Sequence, residues 1–190
     1  MPVDLILFTA DRRIHGAIPL ADDRVSDMLN SVSRIVMRGA VMENLAVDGA
    51  PQTADLTIAV GSIVAVLVAG RRGIETRRRK TEIHRARIGL TRFVVTGSLH
   101  VPADADEHLQ SGNPALVLAG RDILVPLTDA TISYLRVDVP ATEEFETILV
   151  NRGHAIWLDI DDAADGGGSE LAEEPAPVYH ASYVKDFTGA

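Results

Sequence analysis

Cysteine is absent from the 190 residues. Its absence excludes disulfides, thiolate metal centres and thiol chemistry together, and it fits a reducing, cytoplasmic setting. Aromatic residues make up only 4% of the chain, against 46% hydrophobic residues. A core therefore has to be built from Val, Ile, Leu and Ala, and the β-branched members of that set suit strands. Long apolar runs are missing as well. The longest, residues 56–70, ends at Arg71-Arg72 and is shorter than the ~18–20 residues a helix needs to span a bilayer. Gly61-Ser62 divides it, so it reads as two buried strands around a tight turn. Met1-Pro2-Val3-Asp4 is not a basic stretch leading into an apolar core, so no signal peptide is expected.

Motifs of catalysis are missing too. There is no Walker-type phosphate loop, no Gly-x-Gly-x-x-Gly after a strand, no His-Glu-x-x-His and no Gly-x-Ser-x-Gly. His15, His84, His100, His108, His154 and His180 are scattered without ligand spacing. His100, His108 and Asp106 could meet in three dimensions, but exposed histidines are the plainer account. Asp159, Asp161, Asp162 and Asp165 do not fit the offsets of an EF-hand. Asp22, Asp23 and Asp27 have no nucleophile or stabiliser beside them and read as the start of a capped helical turn. We expect no catalytic residues, no metal site, no cofactor and no enzymatic activity.

What the chain does have is uneven charge. Net charge is −9. Residues 71–92 hold nine Arg or Lys against Glu75 and Glu82, a local balance of +7, so the remainder carries −16. Within this band Arg77, Arg78, Arg79 and Lys80, with Arg85 and Arg87, are the candidates for binding an anionic partner such as nucleic acid, a lipid surface or an acidic protein face. A solvated linker, or one that neutralises the protein's own acidic surface, is the alternative.

An internal repeat organises the rest. Ile14-His15-Gly16-Ala17-Ile18-Pro19-Leu20 lies over Val95-Thr96-Gly97-Ser98-Leu99-His100-Val101 at an offset of 81, and Ile35-Val36-Met37-Arg38-Gly39 lies over Leu116-Val117-Leu118-Ala119-Gly120 at the same offset. Leu67 matches Leu158 at an offset of 91, which implies an insertion after the third strand of the second copy. Hydrophobic patterning predicts strands over 3–8, 14–20, 34–44, 55–60 and 63–68, with one or two helical turns in 21–30 capped near Asp22-Asp23. The second copy should have strands over 83–91, 93–101, 115–125, 146–150 and 155–160, with an added or extended strand over 131–137. Ile14, Ile35, Val36, Val66, Leu99, Val117, Ile156 and Trp157 are the expected core.

Phe8-Thr9-Ala10-Asp11, Ile14-His15-Gly16, Val25-Ser26-Asp27-Met28-Leu29-Asn30-Ser31 and Ile63-Val64-Ala65-Val66 follow an order that resembles the Sm-like small β-barrel. The first copy also resembles an uncharacterised family of short bacterial proteins. Asn151-Arg152-Gly153-His154-Ala155-Ile156 is similar to the Arg-Gly turn of Sm proteins. The resemblance covers residues 3–69 and 84–160 and implies ring assembly. It also implies RNA binding through loops at 22–30 and 103–110 and through Arg152-Gly153. Against RNA, Val60-Gly61 stands where the first copy would have Arg-Gly, and both loops carry acidic residues and no aromatic.

These readings give an all-β protein of two tandem Sm-like barrels. Residues 1–70 form the first, 71–82 a basic connector, 83–160 the second, and 161–190 an acidic Gly/Pro-rich tail. The expected function is a non-enzymatic oligomeric scaffold or adaptor that assembles through its barrels. Its partner protein would be captured by Tyr179, Tyr183 and Phe187, spaced four apart at the end of the tail. The alternative is RNA or single-stranded nucleic-acid binding through the connector and Arg152-Gly153.

Overall fold

The strand-prone segments pair into one antiparallel sheet. A computed structural model describes residues 2–20, 24–45, 49–68, 81–102, 120–135 and 142–161. Among these residues the chain forms β1 (Pro2–Phe8), β2 (Arg12–Pro19), a short helix α1 (Val25–Ser31), β3 (Arg34–Asn44), β4 (Gln52–Ala59), a 3-10 turn (Val60–Ser62) and β5 (Ala65–Val68). It continues as β6 (Thr81–Gly89), β7 (Phe93–Pro102), β8 (Leu124–Tyr134), β9 (Thr142–Asn151), a second 3-10 turn (Arg152–His154) and β10 (Trp157–Asp161). The strand order is β10-β6-β7-β8-β9-β5-β1-β2-β3-β4. Each set of five consecutive strands places its fifth beside its first, and the two sets meet where β5 pairs with β9.

The all-β expectation holds. The sheet, however, is open: β4 and β10 are its edges, and two closed barrels are not what the strand pairing gives. In each half a 3-10 turn rather than a ladder links the fourth strand to the fifth. No helix among the described residues is long and apolar enough to cross a membrane.

β5, and β1 from Leu5 to Phe8, are apolar because both of their faces are covered. Along β1, Leu5 and Leu7 enter one hydrophobic cluster, while Phe8 enters a second with Ile6 packed against it. Along β5, Val66 and Val68 face the first cluster and Ala65 and Leu67 the second. Successive side chains of a strand point to opposite faces, so a strand between two cores reads as a continuous apolar run. This accounts for the apolar run at 63–68. The other half of the 56–70 stretch, expected as a second buried strand, is instead the end of the edge strand β4, where Ile58 alone is buried, followed by the 3-10 turn at Gly61-Ser62.

Two glycines on the second strand of each half show how tightly the halves are packed. A Cβ on Gly16 would come within 2.8 Å of Met37 Cε and 3.4 Å of Ala40 Cβ. A Cβ on Gly97 would come within 2.8 Å of Ala130 Cβ and 3.0 Å of Leu127 Cβ. The third strand is interrupted between Met37 and Ala40 at Gly39, whose φ is +58° and whose N–H donates to Asp55 Oδ1 over 2.8 Å. In β8 the equivalent left-handed residue is Asp129, with φ of 46°, a conformation Asp tolerates better than most side chains.

Several sequence expectations are corrected. The third strand of the second half is Leu124–Tyr134, where 115–125 was expected; of that span residues 115–119 lie outside the described residues. The counterpart of Met37 is therefore Leu127, the extra residues precede β8, and the match of Leu116–Gly120 to Ile35–Gly39 fails. Residues 131–134, expected in an added or extended strand, are the end of β8 and not a separate strand, and 136–137 lie outside the described residues. The fifth strands match one residue later than Leu67 over Leu158. Val64 N–H donates to the Phe8 carbonyl and Ile156 N–H to the Gly89 carbonyl, which equates Ala65 with Trp157. A slip of one residue exchanges the faces of a strand. Trp157 and Ile156, expected in the core, are accordingly 42% and 66% exposed on an edge, and Val36 on β3 is 57% exposed. Ile14, Ile35, Val66 and Leu99 are buried as expected, while Val117 lies outside the described residues. The N-cap of α1 is Arg24 and makes no side-chain capping bond, although Val25, Met28 and Leu29 bury as their spacing predicts.

Candidate functional site

The junction between the halves is the most elaborated part of the molecule. β5 runs antiparallel to β9 with Ala65 opposite Val150, Val66 opposite Leu149, Leu67 opposite Ile148 and Val68 opposite Thr147. Seven of these eight residues are buried hydrophobics. Polar groups fix the register at one end. Asn151 N–H donates to the Val64 carbonyl over 3.0 Å, and its Nδ2 donates to the Ile63 carbonyl over 2.7 Å. Its Oδ1 accepts from Gly153 N–H over 2.9 Å, so the 2%-exposed amide is satisfied. His154 Nε2 lies 2.9 Å from the Gly61 carbonyl.

Two further contacts clamp the halves. From the last turns of α1, Asn30 donates through Nδ2 to the Leu124 carbonyl over 3.0 Å and accepts Leu124 N–H through Oδ1 over 2.8 Å. At the other end Arg13 meets both carboxylate oxygens of Glu143 at 3.3 and 3.2 Å, and Tyr134 donates its hydroxyl to the same Glu143 over 2.7 Å. Phe8, Phe93 and Tyr134 pack edge-to-face beneath this group, with ring centroids 5.1–6.0 Å apart. The Arg13 guanidinium also lies 5.7 Å from the Phe8 ring centroid. Burial pushes the Tyr134 hydroxyl pKa well above its usual range, despite the nearby Arg13 charge. Burial, and then the Arg13 charge, hold His15 below its usual value.

The same strands that make this junction have counterparts at the two ends of the sheet, where they are unpaired. β10 occupies in the second half the place of β5, and β4 occupies in the first half the place of β9. Exposed Ile156 and Trp157 mark one end. An edge strand offers unpaired N–H and C=O groups, and β4 carries a single charge, Asp55, already engaged by Gly39 N–H.

Three of the basic candidates, Arg85, Arg87 and Arg152, lie among the described residues. Arg85 and Arg87 lie on β6, where Arg87 is 3.8 Å from Asp159 and Arg85 Nη1 is 3.4 Å from the Asp129 carbonyl. A shallow hollow of about 440 Å³ beside Arg85 is lined by Asp129, Glu144 and Glu146 as well as Phe145. Arg152 sits in the second 3-10 turn, its N–H donating to the Ile123 carbonyl over 3.0 Å. Arg77, Arg78, Arg79 and Lys80, and Tyr179, Tyr183 and Phe187, lie outside the described residues. His100 is held between Thr81 Oγ1 and Thr128 Oγ1 at 3.4 and 2.8 Å, while Asp106 and His108 lie outside the described residues. Among the described residues no group of three or more His, Asp or Glu is placed to hold a metal ion.

Asn30, Arg13 and Glu143 were not singled out from the sequence. Each acts across a long chain separation, and no local pattern announces such a contact. Compared with family models, with curated proteins and with solved structures, the chain matches none.

Proposed function

We propose that this chain is a non-enzymatic scaffold built of two Sm-like five-stranded units in tandem, left open rather than closed as barrels by their strand pairing, and the product of an internal duplication. It assembles with itself through the ends of its sheet and captures a partner protein through Tyr179, Tyr183 and Phe187. The duplication is supported by the shared strand order of the halves, by a 3-10 turn before each fifth strand, and by the matching glycine contacts of Gly16 and Gly97. The observation that carries the scaffold reading is the β5–β9 junction: both kinds of strand that build it recur, unpaired, at the edges β10 and β4. A protein whose interior already contains a sheet-to-sheet joint has the parts for repeating it. Nucleic-acid binding ranks second, because Arg85 and Arg87 have carboxylates or carbonyls as near neighbours. The tail is tested by replacing Tyr179, Tyr183 and Phe187 together with Ala. Proteins cross-linked to the full chain in a native extract should be lost from the variant, whereas an unchanged set would contradict capture by the tail.

A further inference from the structure

The eight aromatic residues of the chain are not used alike. Phe8 and Phe93 are buried in the second hydrophobic cluster, and Tyr134 and Phe145 pack against it. Trp157, the single tryptophan, is 42% exposed. The other three are Tyr179, Tyr183 and Phe187, at the end of the chain.

Trp157 has a seat shaped for it. It stands opposite Gly89 on β6, and Gly89 stands opposite Val94 on β7. A Cβ on Gly89 would collide with Cε2 and Nε1 of the Trp157 indole, so the ring lies across a strand position that has no side chain. Its inner side rests on backbone and its outer side faces solvent. By strand alternation Ile83, Arg85 and Arg87 share this face with Trp157, Asp159 and Asp161. Ile83 is exposed as well. The face is therefore apolar at both ends, at Trp157 and at Ile83, and charged between them.

We propose that Tyr179, Tyr183 and Phe187 dock on Trp157 of their own chain, covering the outer side of its ring. The contact lies on the face of the sheet. The inference rests on the reading of the tail as the capturing segment and adds what that segment holds before capture. A partner then has to lift the three rings from Trp157, and its arrival uncovers the indole.

The place where the tail starts identifies it as the occupant. β10 ends at Asp161, which is about 13 Å along the strand from Trp157. Residues 162–177, sixteen positions rich in Gly, Ala and Pro, separate that end from Val178. A flexible linker of this length has a root-mean-square reach of roughly 20–24 Å. It returns to Trp157 without being stretched. Such a tether holds its far end at an effective concentration in the millimolar range, above that of a second copy or any other chain at ordinary dilution. The spacing of the three rings fits one seat. At intervals of four residues they share a face whether the segment is helical or extended. Rings of this size each bury enough area to hold a short segment in place.

Trp157 reports on its own cover, because all tryptophan fluorescence comes from it. In the full chain its quenching by acrylamide should be weak and unchanged by dilution. The triple variant Tyr179→Ala, Tyr183→Ala and Phe187→Ala should be quenched about twofold more strongly, with emission shifted to the red and the β-sheet spectrum unchanged. The chain has no cysteine, so Tyr183→Cys takes a nitroxide label at one site and leaves Tyr179 and Phe187 to dock. That label should quench Trp157 by contact. The same label on a chain that also carries Trp157→Phe, mixed with the unlabelled parent, should leave the parent's emission as it was. Equal quenching of the parent and the triple variant would overturn the proposal, because the tail then leaves Trp157 bare. Quenching by the label across the mixture, or protection that disappears on dilution, would overturn it too, since the cover is then another copy. No partner is present in these measurements. Their failure would leave capture by the tail to the cross-linking comparison above.

Discussion

Gly97 lies against Ala130 so closely that a single added methyl would bring two Cβ atoms to 2.8 Å. The neighbouring atoms are Leu127 Cβ at 3.0 Å and the Thr128 carbonyl oxygen at 3.1 Å, all on or next to backbone. Nothing there can swing aside. Gly16 has the same place in the first half, but the atom it would meet is Met37 Cε, the end of a flexible side chain.

Gly97→Ala should therefore destabilise by about 1–3 kcal/mol, the usual cost of overpacking, and Gly16→Ala by clearly less. Urea unfolding of the two variants beside the parent checks the order. Equal losses would contradict the packing described.

Asn30 supplies Leu124 with both a donor and an acceptor, as a strand neighbour would. Asn30→Ala leaves both backbone groups of Leu124 without these bonds and should cost about 1–3 kcal/mol. Asn30→Asp keeps the acceptor but faces a carboxylate toward the Leu124 carbonyl, so it should not rescue. A shift in the denaturant midpoint reads both.

His15 favours its neutral form in the folded protein, because burial and Arg13 lower its pKa from 6.5. The unfolded chain therefore binds more protons between the folded value and 6.5, and stability rises with pH across that window. Stability should be fully present above pH 6.5 and fall as the solution is acidified below it. His15→Gln should flatten this part of the profile, measured as unfolding midpoints from pH 7.5 down to 5.

These features were legible in the sequence to different degrees, for physical reasons. Gly16 and Gly97 stood out at a common offset because the third strand of each half packs against the same position of the second, rigidly at Gly97 and through the Met37 side chain at Gly16. The third strand was misplaced because its two versions share burial rather than identity. Met37 and Ala40 answer to Leu127 and Ala130, while Gly39 answers to Asp129 at the bend. A short aliphatic stretch at 116–118 imitated the first version better than the true counterpart does. The one-residue error over Leu67 and Leu158 has a related cause. Leu67 packs into the second core, whereas its true counterpart Asp159 lies on an open edge, pairs with Arg87 and has no reason to be apolar. The Asn30 and Glu143 clamps join residues 94 and 130 apart, and no periodicity reports such contacts.

Light scattering on the full chain, across a hundredfold range of concentration, tests the central claim most directly. The scaffold account predicts a molar mass at whole multiples of 20.4 kDa that falls on dilution as copies separate. A constant 20.4 kDa over the whole range would contradict it.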